Sequence, residues 1–154
     1  MQYARSRHLL LVLLALVAAL SATVLTAAPA QAVTGCFGAT CNGQDPHEMS
    51  CDSDPGLQTI YEFTYSARFE LRYSPACKAS WTRVTSPVTY NTIFGQIRAH
   101  YTYPTSLGHP TALVYGVQAR AGTTWTRMVN ADYWERSCVS SWFNAIPIAC
   151  TGAH

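Results

Sequence analysis

The chain lacks the short motifs that identify several classes of enzyme and metal protein. It has no G-x-S-x-G nucleophile elbow and no C-x-x-C pair, which argues against elbow-type serine hydrolases and thioredoxin-like redox enzymes. Its cysteines also lack the two paired knuckles of a structural zinc site. Internal repeats and low-complexity tracts are absent as well. The sequence therefore favours a non-enzymatic protein that needs no cofactor.

No apolar run is long enough for a membrane-spanning helix, which needs about 20 residues. The run over residues 9–20 follows a basic start and is interrupted by polar residues afterwards. Ala30 and Ala32 then supply the small residues that signal peptidase requires. This layout predicts a helical secretory signal peptide over residues 1–32 and a single secreted domain over residues 33–154.

Charge of either sign is scarce, at 12% of the residues. Arg5 and Arg7 lie in the predicted signal peptide and account for the whole formal net charge of +2. The exported domain is then close to neutral, which argues against nucleic acid or an anionic membrane as an electrostatic partner. No membrane contact is expected once the signal peptide is removed.

All of the cysteines follow the predicted signal peptide, and exported thiols usually end as disulfides. They are Cys36, Cys41, Cys51, Cys77, Cys138 and Cys150. Six cysteines allow fifteen pairings, and the spacing alone does not choose among them. The alternative is a lipoprotein anchored to the membrane through Cys36, because residues 33–36 satisfy a loose lipobox. Lipidation would leave an odd number of cysteines, so release is favoured over anchoring.

The exported part divides into a turn-rich segment over residues 33–56, without expected regular structure, and a strand-rich core over residues 57–154. Residues 57–73 alternate between apolar odd and polar even positions, which predicts two strands, or one bent strand, with a break near residues 65–67. The even positions, Glu62 and Glu70 among them, are assigned to the solvent face.

The remaining pattern predicts one short helix and further strands. Ser74 and Pro75 are typical of a helix start, so a helix is expected over residues 76–81. Strand-like alternation returns over residues 93–103, 113–120 and 124–130. The predicted fold is all-β, a small disulfide-braced antiparallel barrel or sandwich of about six strands with that short helix.

Two blocks of the sequence resemble a known family. Residues 35–51 contain C-x-G-x-x-C-x-G-x-D-P, and residues 70–83 contain E-L-R-Y-S-x-x-C-x-A-x-W. Both are similar to the secreted, mainly actinobacterial family called domain of unknown function 2690, and residues 125–129 resemble a later block of it. The resemblance implies an extracytoplasmic location and a shared scaffold, with no established activity. Cys138 and Cys150 have no counterpart in the cysteine-bearing blocks, so they are expected to pair with each other.

Aromatic side chains are the main hint of a binding surface. Extracellular β domains that bind glycans often present flat rings, which pack on the apolar faces of sugars. The candidates here are Tyr90, His100, Tyr101, Tyr103 and Trp142. For any one of them a place in the core is the more common role, because a small domain must fill its interior.

Four of the eight acids lie within residues 45–54. Asp45, Asp52 and Asp54 are weak candidates for calcium ligands. The glycine that follows comes too early for the D-x-D-x-D-G loop, and aspartate is also a common turn residue, so no metal site is expected.

The favoured function is a non-enzymatic binding module in the cell envelope or the medium, with a cell-wall or other glycan as the candidate partner. The alternatives are a structural envelope protein and an extracellular hydrolase that acts on envelope or environmental polymers. A hydrolase would need a cleft with a shielded carboxylate or a pair of histidines.

Overall fold

β-Strands dominate the residues that the computed structural model describes, which are 35–64, 67–87, 93–108, 110–141 and 146–154. The predicted signal peptide lies outside them, so its helix and its boundary at residue 32 stay predictions. These residues contain nine strands: β1 (Gln58–Thr64), β2 (Ala67–Ser74), β3 (Ala79–Ser86), β4 (Ile93–His100), β5 (Leu113–Ala119), β6 (Gly122–Trp125), β7 (Val129–Asn130), β8 (Trp134–Ser140) and β9 (Ala149–Cys150). Two short 3₁₀ helices precede them, Gly38–Cys41 and Cys51–Ser53. Neither is long or apolar enough to cross a membrane, and the described residues contain no other helix.

The strands form two antiparallel sheets that pack face to face. Sheet A has five strands in the order β1-β2-β3-β6, with β7 also paired to β3. Sheet B has four strands in the order β5-β4-β8-β9. Phe69 and Val84 of sheet A form a buried cluster with Ala119 and Val139 of sheet B. The predicted all-β class is therefore confirmed, in its sandwich form.

The long alternating stretch folds as two strands, as predicted. β1 and β2 form an antiparallel pair whose register ends with Thr64 opposite Ala67. On β2 the even positions do lie on the face away from the core, but Glu70 was wrongly assigned to solvent, because it is 1% exposed there. On β1 the assignment of faces was wrong, because Tyr61 and Phe63 lie opposite Glu70 and Arg68 and therefore share the outer face, where both rings are exposed. Alternation separates the two faces of a strand, but it does not say which face another element covers.

The helix expected over residues 76–81 does not form. Pro75 begins a four-residue turn, and β3 starts directly after it at Ala79. Lys78 has a φ of 49°, a left-handed conformation that ends a right-handed helical path. Short helices do occur, but in the segment before residue 57 that was expected to lack regular structure.

β8 is a strand that the sequence pattern did not predict, and the same holds for β3 and β9. From Glu135 to Ser140 every residue in it is buried, so both faces of the strand are covered. A strand covered on both faces loses the alternation that identifies a half-buried strand. β8 lies at the centre of sheet B, between β4 and β9.

Three disulfides brace the sandwich. Cys138 pairs with Cys150 and joins β8 to β9, which confirms the expected pairing. Cys36–Cys41 closes a loop within the segment before β1, and Cys51–Cys77 links that segment to the turn between β2 and β3. The latter two pack with Trp81 and Met128 in a second buried cluster. Because Cys36 is bonded to Cys41, its sulfur has no free valence for a lipid thioether.

Gly95 on β4 allows the two sheets to approach each other. A Cβ atom at this position would lie 2.3 Å from Cγ2 of Val84 on β3. We therefore expect Gly95→Ala to lower the free energy of unfolding by about 1–3 kcal/mol, because a well-packed core resists an added methyl group. Urea denaturation measures this loss.

Gly152→Ala is the matched control, since nothing lies within 4 Å of a Cβ atom there. In the double variant, Val84→Ala should recover part of the stability that Gly95→Ala removes, because it deletes the clashing methyl group. An unchanged stability in Gly95→Ala would contradict the close approach.

Candidate functional site

The outer face of sheet A carries a band of charged and aromatic side chains. On β2, Arg68, Glu70 and Arg72 alternate with the buried core residues Phe69 and Leu71. The register of sheet A continues the band, because Arg72 lies opposite Trp81 and Glu70 lies opposite Arg83 on β3. Arg83 in turn lies opposite Trp125 on β6. The sheet therefore places these side chains in adjacent rows on one surface.

Glu70 is held by two arginines within this band. The Arg83 guanidinium donates from Nε to Oε2 and from Nη2 to Oε1, each at 2.9 Å. Nε of Arg68 lies 3.1 Å from Oε1 of the same carboxylate. A bidentate ion pair between an arginine and a carboxylate is strong and directional. This pair explains why the Glu70 carboxylate can be buried here.

A cleft of about 110 Å³ opens beside this ion pair, and we call it the Arg72 cleft. Its lining residues come from the segment before β1 and from β2, β3 and β6. They are Pro46, Asp52, Arg72, Trp81, Arg83, Thr123 and Trp125. Trp81 is almost fully buried, whereas 39% of Trp125 is exposed. The cleft therefore combines two guanidinium groups with two indole rings.

The Arg72 side chain is the unusual member of the cleft. Its guanidinium carbon lies 5.6 Å from the centre of the Trp81 ring, in a cation–π arrangement. Its Nε is buried and has no hydrogen-bond partner within the described part of the chain. Burial and the neighbouring positive charge of Arg83 lower the pKa of Arg72, while Glu70 and Asp52 oppose that change.

The rim of the cleft is fixed by polar contacts from the segment before β1. The Trp125 indole Nε1 donates to the Asp45 carboxylate at 3.2 Å, which orients the ring. Nδ1 of His47 lies 3.0 Å from Oδ2 of Asp52, and this hydrogen bond together with the Asp52 charge raises the pKa of His47. Asp45 also lies 3.7 Å from Arg127.

The three calcium candidates are not gathered around one point. Asp45 and Asp52 take part in the rim contacts, while Asp54 accepts hydrogen bonds from Gly56, Ser74 and Ala76. Burial opposes ionisation of Asp54, but these hydrogen bonds outweigh it and lower its pKa. In the described ranges, the one group of metal-ligating side chains close enough to share an ion is four cysteines, and their sulfurs are bonded in disulfides.

The aromatic candidates fall into three groups. Tyr90 and Trp142 lie outside the described residues. His100 is fully buried. Tyr101 and Tyr103 are 79% and 56% exposed, and they lie just after the end of β4.

Tyr101 and Tyr103 meet two further rings at the start of β8. Tyr101 makes an edge contact with Tyr133 at 5.5 Å between ring centres, and Tyr103 makes one with Trp134 at 5.2 Å. We call these four residues the aromatic cluster. Because β4 and β8 are antiparallel neighbours, the end of one strand and the start of the other lie at the same end of sheet B.

His100 supports the loop that carries two of these rings. Its Nδ1 lies 2.8 Å from the carbonyl oxygen of Pro110, which only accepts, so Nδ1 is the donor and the tautomer is fixed. The Ala112 N–H donates to the carbonyl of Ala99 at 2.7 Å. Arg136 donates to the carbonyl of Ser106. These contacts attach the loop after β4 to sheet B.

A cavity of about 160 Å³ borders β1 and the C-terminal residue. It is larger than the Arg72 cleft, and its lining is mostly apolar or uncharged, from Gln58, Ile60, Leu71 and Tyr73. His154 closes it by stacking on Tyr73, with 4.7 Å between the ring centres. The cavity offers fewer groups for recognition than the Arg72 cleft.

Glu135 is a shielded carboxylate, but it is enclosed. Glu135 on β8 is fully buried between the sheets, and neither carboxylate oxygen has a hydrogen-bond partner in the described ranges. Burial raises the pKa of Glu135 to about 8, although the nearby Ser80 hydroxyl opposes the rise. A general acid must reach its substrate, and this carboxyl group has no surface open to one. Glu135 therefore does not supply the catalytic carboxylate that the hydrolase hypothesis requires.

The sequence alone does not predict the Arg72 cleft. The three blocks that carry the family resemblance contain most of the residues that line the cleft, and these blocks were the sequence feature that could have indicated it. The residues are Pro46, Arg72, Trp81, Arg83 and Trp125. These residues are far apart in the chain. The register of sheet A brings the four that lie on its strands together, and Pro46 joins them from the segment before β1.

The family model "Protein of unknown function (DUF2690)" matches residues 39–142, about two thirds of the chain. The chain therefore belongs to this family, as its sequence blocks predicted. No curated protein and no solved structure matches the chain. All residues that line the Arg72 cleft and all four of the aromatic cluster fall inside the matched range.

Proposed function

We propose that this DUF2690 protein is a secreted, non-enzymatic binding module that attaches to a glycan of the cell envelope or the medium. The observation that carries the proposal is the aromatic cluster, in which Tyr101, Tyr103 and Trp134 are all exposed. Exposed large rings in contact with each other leave apolar surface in water, and such surface is typical of a binding site. The three disulfides support export, because such bonds persist in oxidising compartments.

Tyrosine and tryptophan suit a sugar ligand for a physical reason. Each presents a flat apolar ring to the C–H face of a pyranose and keeps a polar edge for its hydroxyl groups. The edge contacts with Tyr133 and Trp134 restrict the rings of Tyr101 and Tyr103, so less conformational entropy is lost on binding. The loop after β4 is attached to sheet B, and this attachment also reduces the conformational entropy that is lost on binding.

We expect the purified protein to be retained on at least one of insoluble peptidoglycan, chitin and cellulose. The double variant Tyr103→Ala/Trp134→Ala should lose most of this retention, because it removes two of the exposed rings. The measurement is a pull-down with quantification of bound and unbound protein.

Phe37→Ala is the matched control, because Phe37 is an exposed aromatic residue outside the cluster, at 60% exposure. Its retention should equal that of the unmodified protein. Retention on none of the three polymers would rule out the glycan proposal, and full retention of the double variant would rule out the aromatic cluster as the site.

A further inference from the structure

We propose that the Arg72 cleft is a second binding site, which takes the carboxylate of an acidic sugar between Arg72 and the exposed ring of Trp125. The site shares no residue with the aromatic cluster. Its test uses soluble monosaccharides, so the result does not depend on retention by a polymer.

The first argument is a positive charge that forms no direct ion pair. All eight aspartates and glutamates of the chain lie in the described residues, and the six ion pairs found there do not include Arg72. Glu70, on the same strand, is bound by Arg68 and Arg83. A partly buried guanidinium normally has an anionic partner, and a bound carboxylate would supply one.

The second argument is the geometry of the hydrogen-bond donors. Arginine has five N–H donors in a planar fork that matches the two oxygens of a carboxylate. Within the described ranges, the buried Nε of Arg72 has no hydrogen-bond partner and leaves a donor unsatisfied. Stacking on Trp81 holds the fork in place at the floor of the cleft. An anion in the cleft would also reduce the repulsion between Arg72 and Arg83.

The third argument identifies a sugar acid rather than a simple anion. The exposed Trp125 ring, held by its hydrogen bond to Asp45, offers a fixed apolar face beside the arginines. The Thr123 hydroxyl and the Asp52 carboxylate line the same cleft and can bind sugar hydroxyl groups. A volume of about 110 Å³ accommodates a carboxylate and one edge of a ring, so the remainder of a glycan would extend over Trp125 into solvent.

The experiment is an NMR titration of the ¹⁵N-labelled protein with glucuronate at low salt. The Trp125 indole N–H signal, identified by its loss in Trp125→Phe, reports binding at the rim. We expect glucuronate to shift this signal in a saturable manner, with weaker binding as NaCl is added. Glucose and acetate should each bind at least about tenfold more weakly than glucuronate, because glucose lacks the carboxylate and acetate lacks the sugar ring.

The variants test the role of Arg72 directly. Arg72→Gln should weaken glucuronate binding by about tenfold or more, because a charge-assisted hydrogen bond is lost. Arg72→Lys keeps the charge and the apolar stem but loses the fork, so its affinity should be intermediate. The matched control is Arg120→Gln, an exposed arginine outside the cleft, which should bind as the unmodified protein does. Thermal melting of each variant establishes that it is folded.

Three results would overturn the proposal. Equal binding of glucose and glucuronate would exclude a carboxylate site. Undiminished binding in folded Arg72→Gln and Arg72→Lys would exclude Arg72. Binding of N-acetyl-alanine without binding of glucuronate would assign the cleft to a peptide carboxylate instead of a sugar acid.

Discussion

Raising the pH from about 5 to about 9 is expected to lower the free energy of unfolding by about 3–5 kcal/mol, and Glu135→Gln is expected to remove most of that loss. The cause is the buried carboxyl group of Glu135, whose pKa rises from 4.5 to about 8 in the folded protein. Burial penalises the charged form, and Asp132 adds a smaller repulsion.

The sign follows from proton binding in the two states. Between pH 4.5 and about 8, Glu135 holds its proton in the folded protein and loses it in the unfolded chain. Folding then takes up a proton, so stability falls by up to about 1.4 kcal/mol for each pH unit in this range. Above about pH 8 the group is ionised in both states, and the full penalty of the buried charge applies. The contribution of Glu135 to stability is therefore most favourable on the acidic side of neutrality.

Urea denaturation at three pH values measures this effect. Glutamine has the shape of glutamate without its ionisation, so the variant and the unmodified protein should diverge as the pH rises. Glu62→Gln is the matched control, because Glu62 lies on the exposed edge strand β1. Other groups also titrate, His47 among them, but they are present in every variant and cancel in the comparison. An identical pH dependence in Glu135→Gln would contradict the assignment.

The sequence predicted the parts of the fold that local patterns determine. The break between β1 and β2 was predicted because the alternating stretch over residues 57–73 is much longer than a usual strand. The pairing of Cys138 with Cys150 was expected from the family blocks that lack both. β8 was missed because it is covered on both faces, and the helix at residue 76 was wrongly expected because a proline start signal does not reveal how soon a strand follows.

The candidate site depends on pairings that a single sequence does not reveal. Glu70 was assigned to solvent as a surface acid, but Arg83 comes from the neighbouring strand and allows its burial. Trp81 was assigned to a helix, whereas in β3 it lies opposite Arg72 and forms the floor of a cleft. Long-range register is set by tertiary packing, so the cleft could be seen only in the structure.

Removal of the Cys51–Cys77 disulfide is expected to lower the free energy of unfolding by about 3–4 kcal/mol. The bond closes a separation of 26 residues, and opening it increases the entropy of the unfolded chain. It also fastens the segment before β1 against Trp81, which is 1% exposed under this cover. The double variant Cys51→Ala/Cys77→Ala should melt on the order of 10 °C lower.

Cys36→Ala/Cys41→Ala is the control, because it removes a neighbouring bond from the same buried cluster. That bond spans a separation of only 5 residues, so the chain-entropy model predicts that its removal lowers the free energy of unfolding by about 2 kcal/mol. Both variants delete two buried sulfur atoms, so the loss of sulfur packing is similar in the two. Differential scanning calorimetry should therefore show the larger drop in melting temperature for Cys51→Ala/Cys77→Ala. Equal drops would mean that lost packing, and not the constraint on the unfolded chain, is what these disulfides contribute.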